Sequence, residues 1–257
     1  MAQIDPRSVV HPSARLAEDV AVGPFCVIGP EVEIGPGTVL KSHVNLDGRT
    51  RIGAACTVWP FASIGTQTQD LKFQGGSPGV VIGDGTTLRE YVTVNAATAD
   101  GVDTVVGQRC HIMAYSHVAH DCIVGDEVIM ANAATLAGHV IIEDQAIIGG
   151  LVGVHQFVRV GRLSITGGCA KIVQDVPPFM TADGNPLAIR GINKIGLERR
   201  GVPVDSIKAL KEAYRLLYRR KLGIKEMIAE MKSSLSDSPE LLHLETFLLN
   251  SERGITR

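Results

Sequence analysis

Hydrophobic positions along the first two thirds of the chain recur every six residues. From Ile4 the series runs Val10, Leu16, Val22, Ile28, Ile34, Leu40, Leu46, Ile52, Val58 and Ile64. It resumes at Ile82, Leu88 and Val94. It resumes again at Val106 and continues through Ile112, Val118, Val124, Met130, Leu136, Ile142, Ile148, Val154 and Val160 to Ile172. Of 29 positions in this register 25 are aliphatic or Met; the exceptions are Asp70, Gly76, Asp100 and Thr166. In a chain that is 45% hydrophobic, chance fills about half that number. A helix repeats near 3.6 residues and a plain strand near 2. A strict six fits a parallel β-helix of hexapeptides instead.

A second register supports the first. Two residues before each anchor the side chain is small, as at Ser8, Ala14, Cys26, Thr38, Cys56, Ala62, Cys110, Cys122 and Ala134. Strand alternation sends both positions to one face, so a narrow interior receives one large and one small side chain per strand. Gly often follows the anchor, as at Gly23, Gly35, Gly83, Gly107 and Gly149. Gly there suits a corner that needs unusual backbone angles. Three hexapeptides make one triangular coil of 18 residues, and 25 anchors make roughly eight coils stacked at the inter-strand spacing of about 4.8 Å.

Two polar, Gly-rich segments interrupt the prism, residues 66–79 and 95–105, and read as protruding loops. The prism is expected to occupy residues 1–190, with Asp175-Val-Pro-Pro and Gly184-Asn-Pro as an irregular connector near its end. A helical domain of residues 191–257 then follows. Pro203 and Asp205 open one helix, closed near Gly223; Ile224 to Met231 form a second; Ser238-Pro239 caps a third.

Composition removes several function classes. A net charge of −2 gives no bulk attraction for nucleic acid. No apolar run approaches the roughly 18 residues of a membrane span. The opening Met-Ala-Gln-Ile-Asp-Pro-Arg lacks the order of a signal peptide, so a cytoplasmic protein is expected. The five cysteines form no CxxC and read as small core residues.

Stacking by 18 turns sequence into geometry. His120, Gly138 and Gln156 form one column on consecutive coils, and Asp121, His139 and Phe157 form the next. His155 lies beside Gln156; His111 and His117, one before their anchors, point outward. A lone surface histidine carries no functional message. A His beside an Asp, under a Gly with an unobstructed N–H, supplies a base and an oxyanion donor. Histidines at this density also suit zinc. The γ-class carbonic anhydrases share the hexapeptide prism, but His117-Val-Ala-His120 lacks their longer His spacing. A prism without catalysis is the third reading.

Further motifs narrow the choice. Gln69-Asp-Leu-Lys72, His117-Val-Ala-His-Asp-Cys122, Asn132-Ala-Ala-Thr-Leu-Ala-Gly-His139, Val154-His-Gln-Phe157, Gly167-Gly168, Gln174-Asp-Val-Pro-Pro178 and Arg199-Arg-Gly201 occur in that order. In these runs, over essentially its whole length, the chain closely resembles the UDP-N-acetylglucosamine O-acyltransferases that begin lipid A synthesis. The resemblance implies a left-handed prism in a homotrimer, with active sites between adjacent prisms. It implies transfer of a 3-hydroxyacyl group to the glucosamine 3-hydroxyl of UDP-N-acetylglucosamine. The group arrives on the phosphopantetheine of acyl carrier protein, with no bound cofactor and no metal. His120 matches the general base, Asp121 the residue that orients it, and Gly138 the oxyanion donor. Asp70 and Lys72 match loop residues that reach the sugar and pantetheine. His117, His139, His155 and Gln156 match pocket positions. Asn193, Arg199 and Arg200 match nucleotide, phosphate or carrier contacts. Gly168 matches the acyl-chain ruler, where Gly leaves room for a longer chain.

Two positions depart from the family. Many members read His-Arg-Gly-Thr where this chain reads Asn95-Ala-Ala-Thr98, and Ile195 replaces an acidic residue seen in some. Some relatives acylate a 3-amino sugar nucleotide, and the changed loop keeps that alternative open. In the tail, Arg215, Arg219, Arg220 and Lys221 form a basic face suited to steering an acidic carrier protein.

Overall fold

The computed structural model describes residues 2–220, 222–235 and 238–257; Lys221, named above for carrier docking, lies outside them. Twenty-six strands, most of two residues, run from Gln3–Ile4 to Lys171–Ile172. They deal themselves in turn onto three parallel sheets. The first face begins with Gln3–Ile4, the second with Val9–Val10 and the third with Arg15–Leu16. The result is a left-handed parallel β-helix, nine strands deep on two faces and eight on the third.

Register explains why the six-residue pattern survives its own interruptions. Val9 pairs with Val27, the expected 18 residues on. Ser63 pairs with Thr93, 30 residues on, so the first loop inserts twelve residues. Thr93 pairs with His117, 24 residues on, so the second inserts six. Both insertions are multiples of six and leave the phase of every later anchor unchanged. Asp70, Gly76 and Asp100 fall in those loops. Thr166 does not: it sits in a strand, 2% exposed, and accepts a hydrogen bond from Gly149 N–H through Oγ1. It is the twenty-sixth anchor, filled by a Thr.

Anchors and their small partners line the interior, and Cys26, Cys56, Cys110 and Cys122 lie buried among them. A fully buried Ile or Leu contributes roughly 1.5–3 kcal/mol. The first coil collects least of this, since Ile4 is 44% exposed at the open end. At the other end the helices continue the same core, with Phe179, Leu197, Leu210, Met227 and Phe247 buried in one cluster with the prism anchors.

The reason given above for the glycines is corrected by the backbone. Gly23, Gly35, Gly83, Gly107 and Gly149 do not adopt positive φ. They are needed because the next coil passes too close: a Cβ on Gly83 would lie 2.6 Å from the Gly107 carbonyl carbon, and one on Gly35 2.7 Å from that of Gly53. The left-handed conformation falls instead on the residue three after the anchor. Residues of many types hold it, among them Phe25 (φ 61°), Asp121 (58°), His139 (59°) and Phe157 (64°).

The segment after Ile172 is more ordered than an irregular connector. Met180–Asp183 adds to the first face beside Ile165–Thr166, and Ala188–Ile192 returns antiparallel to it. A short helix, Lys194–Arg199, follows, capped by Asn193. Helices Val204–Tyr214, Ile224–Ser234 and Pro239–Leu249 come next, the first running into a π-helical turn over Arg215–Arg219. Ser238 Oγ caps the last by accepting from Leu241 N–H. A polar cluster ties this tail to the prism. Glu143 Oε2 meets His243 Nε2 at 2.7 Å and Glu143 Oε1 meets Arg159 Nη2 at 3.0 Å. Arg159 lies over the Phe247 ring, and buried Asp175 accepts from Arg159 N–H and from Ser251 Oγ. Among the described residues no helix is long and apolar enough to cross a membrane.

Candidate active site

Both insertions leave the prism at one corner, between the second and third faces. The first follows Ser63–Thr66 and the second follows Thr93–Asn95. On the next coil this corner carries His120 and Asp121, between strands His117–Val118 and Ile123–Val124. The loops and the two residues are therefore neighbours by construction.

His120 Nδ1 lies 2.8 Å from Asp121 Oδ2. Thr104 Oγ1 accepts from Asp121 N–H at 2.8 Å and pins the left-handed corner. Burial alone would raise the Asp121 carboxyl above the ordinary range. Hydrogen bonds from His120 and Thr98, with the charge of His139, overcome it and hold the group low, so it stays ionised. An ionised acceptor fixes the proton on Nδ1 and leaves His120 Nε2 as the basic atom. Gly138 packs flat on the ring: a Cβ there would lie 2.5 Å from Nε2 and closer still to Cε1. Its N–H makes no hydrogen bond within the described chain.

The neighbouring column is assembled as the spacing predicts. His139 Nε2 lies 3.7 Å from Asp121 Oδ2, and its ring stacks on Phe157 at 4.6 Å. His155 and Gln156 continue the corner above, both exposed. His117 faces outward on the second face, its Nδ1 2.7 Å from Thr93 Oγ1. Burial, then the nearby His120 charge, push its pKa below the ordinary imidazole value, which favours a neutral ring. In the first loop Asp70 Oδ1 accepts from Lys72 N–H, and the Lys72 side chain is exposed. His120, Asp121 and His139 present three donor atoms within 4.8 Å of one another, enough to hold a metal by proximity.

Other predicted residues stand elsewhere. Gly168 is exposed at the corner between the first and second faces. Arg200 pairs with Glu127 at the corner between the third and first. Asn193 is buried beside that corner. Its Oδ1 caps the short helix and its Nδ2 donates to Leu163 O, so its amide is already engaged. Arg199 is exposed on the same helix. In the tail Arg215 pairs with Glu212 and Arg220 with Glu230, so the basic face is partly neutralised; Arg219 has no ion pair among the described residues.

The comparisons with known proteins decide the family. The chain is 47% identical to the acyl-(acyl-carrier-protein)–UDP-N-acetylglucosamine O-acyltransferase of Thermodesulfovibrio yellowstonii, over 100% of both sequences. It belongs to the UDP-N-acetylglucosamine O-acyltransferase family. Residues 175–256 match the model of domain 2 of that family, and residues 103–138 match the bacterial transferase hexapeptide model. The crystal structure of LpxA from Acinetobacter baumannii superposes with a TM-score of 0.96 at 42% identity, covering 99% of both chains. LpxA from Bacteroides fragilis, a UDP-N-acetylglucosamine acyltransferase, gives 0.97 at 39%, covering 99% of this chain and 100% of that one. The chain is thus an acyltransferase, and membership sets aside the carbonic-anhydrase-like and scaffold readings.

Sequence reasoning missed three features of this region. Thr98, from the second loop, touches the His120–Asp121 pair, and Thr68, from the first, touches Thr98. Leu71, between Asp70 and Lys72, is fully exposed. An aromatic ladder climbs the corner that ends in Gly168: Phe25, His43, Phe61, Tyr91 and Tyr115, with centroids 4.8–5.0 Å apart. The ladder was accessible from the sequence, since its members all sit three residues after an anchor.

Proposed function

We propose that this enzyme moves a 3-hydroxyacyl chain from acyl carrier protein to the glucosamine 3-hydroxyl of UDP-N-acetylglucosamine, the first step of lipid A synthesis. The observation that carries the mechanism is the His120–Asp121 pair at 2.8 Å with Gly138 against the ring. Asp121 holds the proton on Nδ1, and Nε2 takes the proton of the sugar hydroxyl as its oxygen attacks the thioester carbonyl. The Gly138 N–H stabilises the oxyanion. Collapse breaks the carbon–sulfur bond, and the imidazolium returns its proton to the departing phosphopantetheine thiolate. The products are an ester and a free thiol, with no cofactor consumed. His117, His139, His155, Gln156, Asp70 and Lys72 surround this corner as pocket residues.

The assembly that supports this reading is a homotrimer. One chain spreads the remaining predicted residues over different corners: the base at one, Gly168 at the second, Arg199 and Arg200 by the third. Only a neighbouring copy brings another corner to the base. Leu71, wholly exposed on the loop beside the site, suits burial in that neighbour. Free cysteines fit a reducing cytoplasm.

The test is His120→Ala, assayed with acyl carrier protein thioesters and either UDP-N-acetylglucosamine or its 3-amino analogue. The variant should keep its fold and lose at least roughly a hundredfold in kcat. A near-normal kcat refutes the base assignment. Preference of the wild type for the amine would move the acceptor to the amino sugar.

A further inference from the structure

The second insertion ends its outward course on the dyad. Thr98 N–H donates to Asp121 Oδ1 at 3.2 Å. Thr98 Oγ1 lies 3.1 Å from His120 Nδ1, and its hydroxyl is also within hydrogen-bonding reach of the Asp121 carboxylate. Behind it stands buried Thr68 from the first loop, hydroxyl to hydroxyl at 3.3 Å. Thr68 Oγ1 in turn accepts from Asp70 N–H at 3.1 Å. Asn95 Nδ2 closes the arrangement by donating to Thr66 Oγ1 at 3.0 Å. The two loops are therefore tied to each other, and Thr98 is the point at which they touch the catalytic pair.

We propose that Thr98 is a positioning residue, one that fixes the Asp121 carboxylate and, through it, the plane and tautomer of His120. The proposal rests on the reading of His120 as the base. The argument is one of valence. Asp121 Oδ2 is taken by His120 Nδ1, which leaves Oδ1 to decide how the carboxylate is rotated. Thr98 N–H occupies Oδ1, and the hydroxyl sits beside the shared Nδ1 proton. The carboxylate at 2.8 Å outcompetes the hydroxyl at 3.1 Å for that proton. The hydroxyl is then free to donate to the carboxylate. With both contacts in place the carboxylate has one orientation, and His120 Nε2 points one way.

The experiment is a double-mutant cycle in the intact enzyme. Thr98→Val keeps the branched shape and the N–H but removes the hydroxyl. It should lower kcat on the order of tenfold, the effect of a loosened supporting shell, with KM for the sugar nucleotide changed less than about twofold. Thr98→Ser should recover most of the activity. Introduced into an Asp121→Ala background, Thr98→Val should cost almost nothing further, because the carboxylate it holds is gone. An undiminished kcat in Thr98→Val overturns the proposal while leaving the base assignment intact. An equal loss with and without Asp121 also overturns it, since the residue then acts by another route. A His120→Ala enzyme of near-normal kcat removes the ground under both readings and is measured in the same series.

Discussion

Replacing Gly138 by Ala tests the centre of the site with the smallest change available. Gly138 does not hold a positive φ, so Ala fits the backbone there without strain. The amide N–H is retained. What changes is one methyl, and it would lie 2.5 Å from His120 Nε2 and 3.0 Å from Nδ1. Unstrained contact between such atoms needs roughly 3.5 Å, so the ring must retreat by about 1 Å. It is not free to do so, because Nδ1 is held by Asp121 at 2.8 Å and flanked by Thr98. Retreat weakens a charge-assisted hydrogen bond of the kind that contributes about 1.5–3 kcal/mol. A displacement of that size at a reacting group costs about a hundredfold in rate, or about 2.7 kcal/mol of barrier.

Folding should lose at most what the weakened His120–Asp121 bond contributed, about 1.5–3 kcal/mol, less what the alanine returns. Gly→Ala at a compatible position changes stability by no more than about 0.4–1 kcal/mol, in the stabilising direction, by restricting the unfolded chain. The assay is therefore paired: steady-state acyl transfer with a saturating donor, and thermal unfolding followed by circular dichroism. The expected result is a Tm within a few degrees of wild type with kcat down by about two orders of magnitude. A kcat within threefold of wild type would refute the argument that Gly is present to make room for the ring. A collapse of Tm would show that the ring is too firmly held to move, and that the backbone yields instead.

Three other outcomes follow from particular contacts. A Cβ on Gly168 would meet only the Gly150 carbonyl oxygen, at 3.3 Å, so Gly168→Met should fold. It should lower kcat/KM for the longest accepted acyl chain roughly tenfold relative to shorter ones; an unchanged chain-length profile removes the ruler role. Native enzyme should react with a thiol reagent quickly at exposed Cys169 alone. Cys110 and Cys122 are pushed up to about 11 and about 12 by burial, and with Cys26 and Cys56 they should react only on unfolding. Two or more fast thiols in the native enzyme would contradict this. Burial would raise the Glu143 carboxyl, but His243, Arg162 N–H and Arg159 more than offset it and hold it below the ordinary carboxylate range. A depressed carboxyl stabilises the fold above its unfolded pKa and loses that contribution as pH falls through the folded one. The Tm difference between wild type and Glu143→Gln should therefore be widest near neutrality and shrink below about pH 4.5. A difference constant from pH 7 to pH 3 counts against it.

The prism was legible because its rule is local and repeated. Every strand announces itself by an anchor, and both loops happen to insert whole hexapeptides, so no later residue is misassigned. Columns at 18 followed from the same rule, which is why His120, Gly138 and the Asp121–His139–Phe157 stack could be placed in advance. The hairpin over Met180–Ile192 and the helix Lys194–Arg199 were not legible. They are built by tertiary contact: one strand borrows the last edge of the first face, and the helix starts where Asn193 meets Leu163 O. Thr98 and Thr68 were missed for a related reason. Loop residues lie outside the register, and nothing in their spacing says which way a loop folds back.

The adjacency of His120 and Asp121 shows what the corner contributes. Two successive residues of a strand send their side chains to opposite faces, so neighbours in sequence cannot pair there. With Asp121 at φ 58° the chain reverses that alternation, and both side chains leave the prism together, 2.8 Å apart. The cost is a non-Gly residue in the left-handed region, of order 1 kcal/mol or more, offset by Thr104 on its backbone and Thr98 on its carboxylate. The next coil then arrives within a ring's thickness, and only Gly can stand above the imidazole. A His-Asp pair two residues past an anchor therefore demands Gly 18 positions later. Glu127 and Gln145 hold the same left-handed conformation at the corner between the third and first faces, where no imidazole stacks among the described residues. The column proposed as catalytic is thus a consequence of the prism's geometry acting on two residues, with one glycine and one threonine fitted around them.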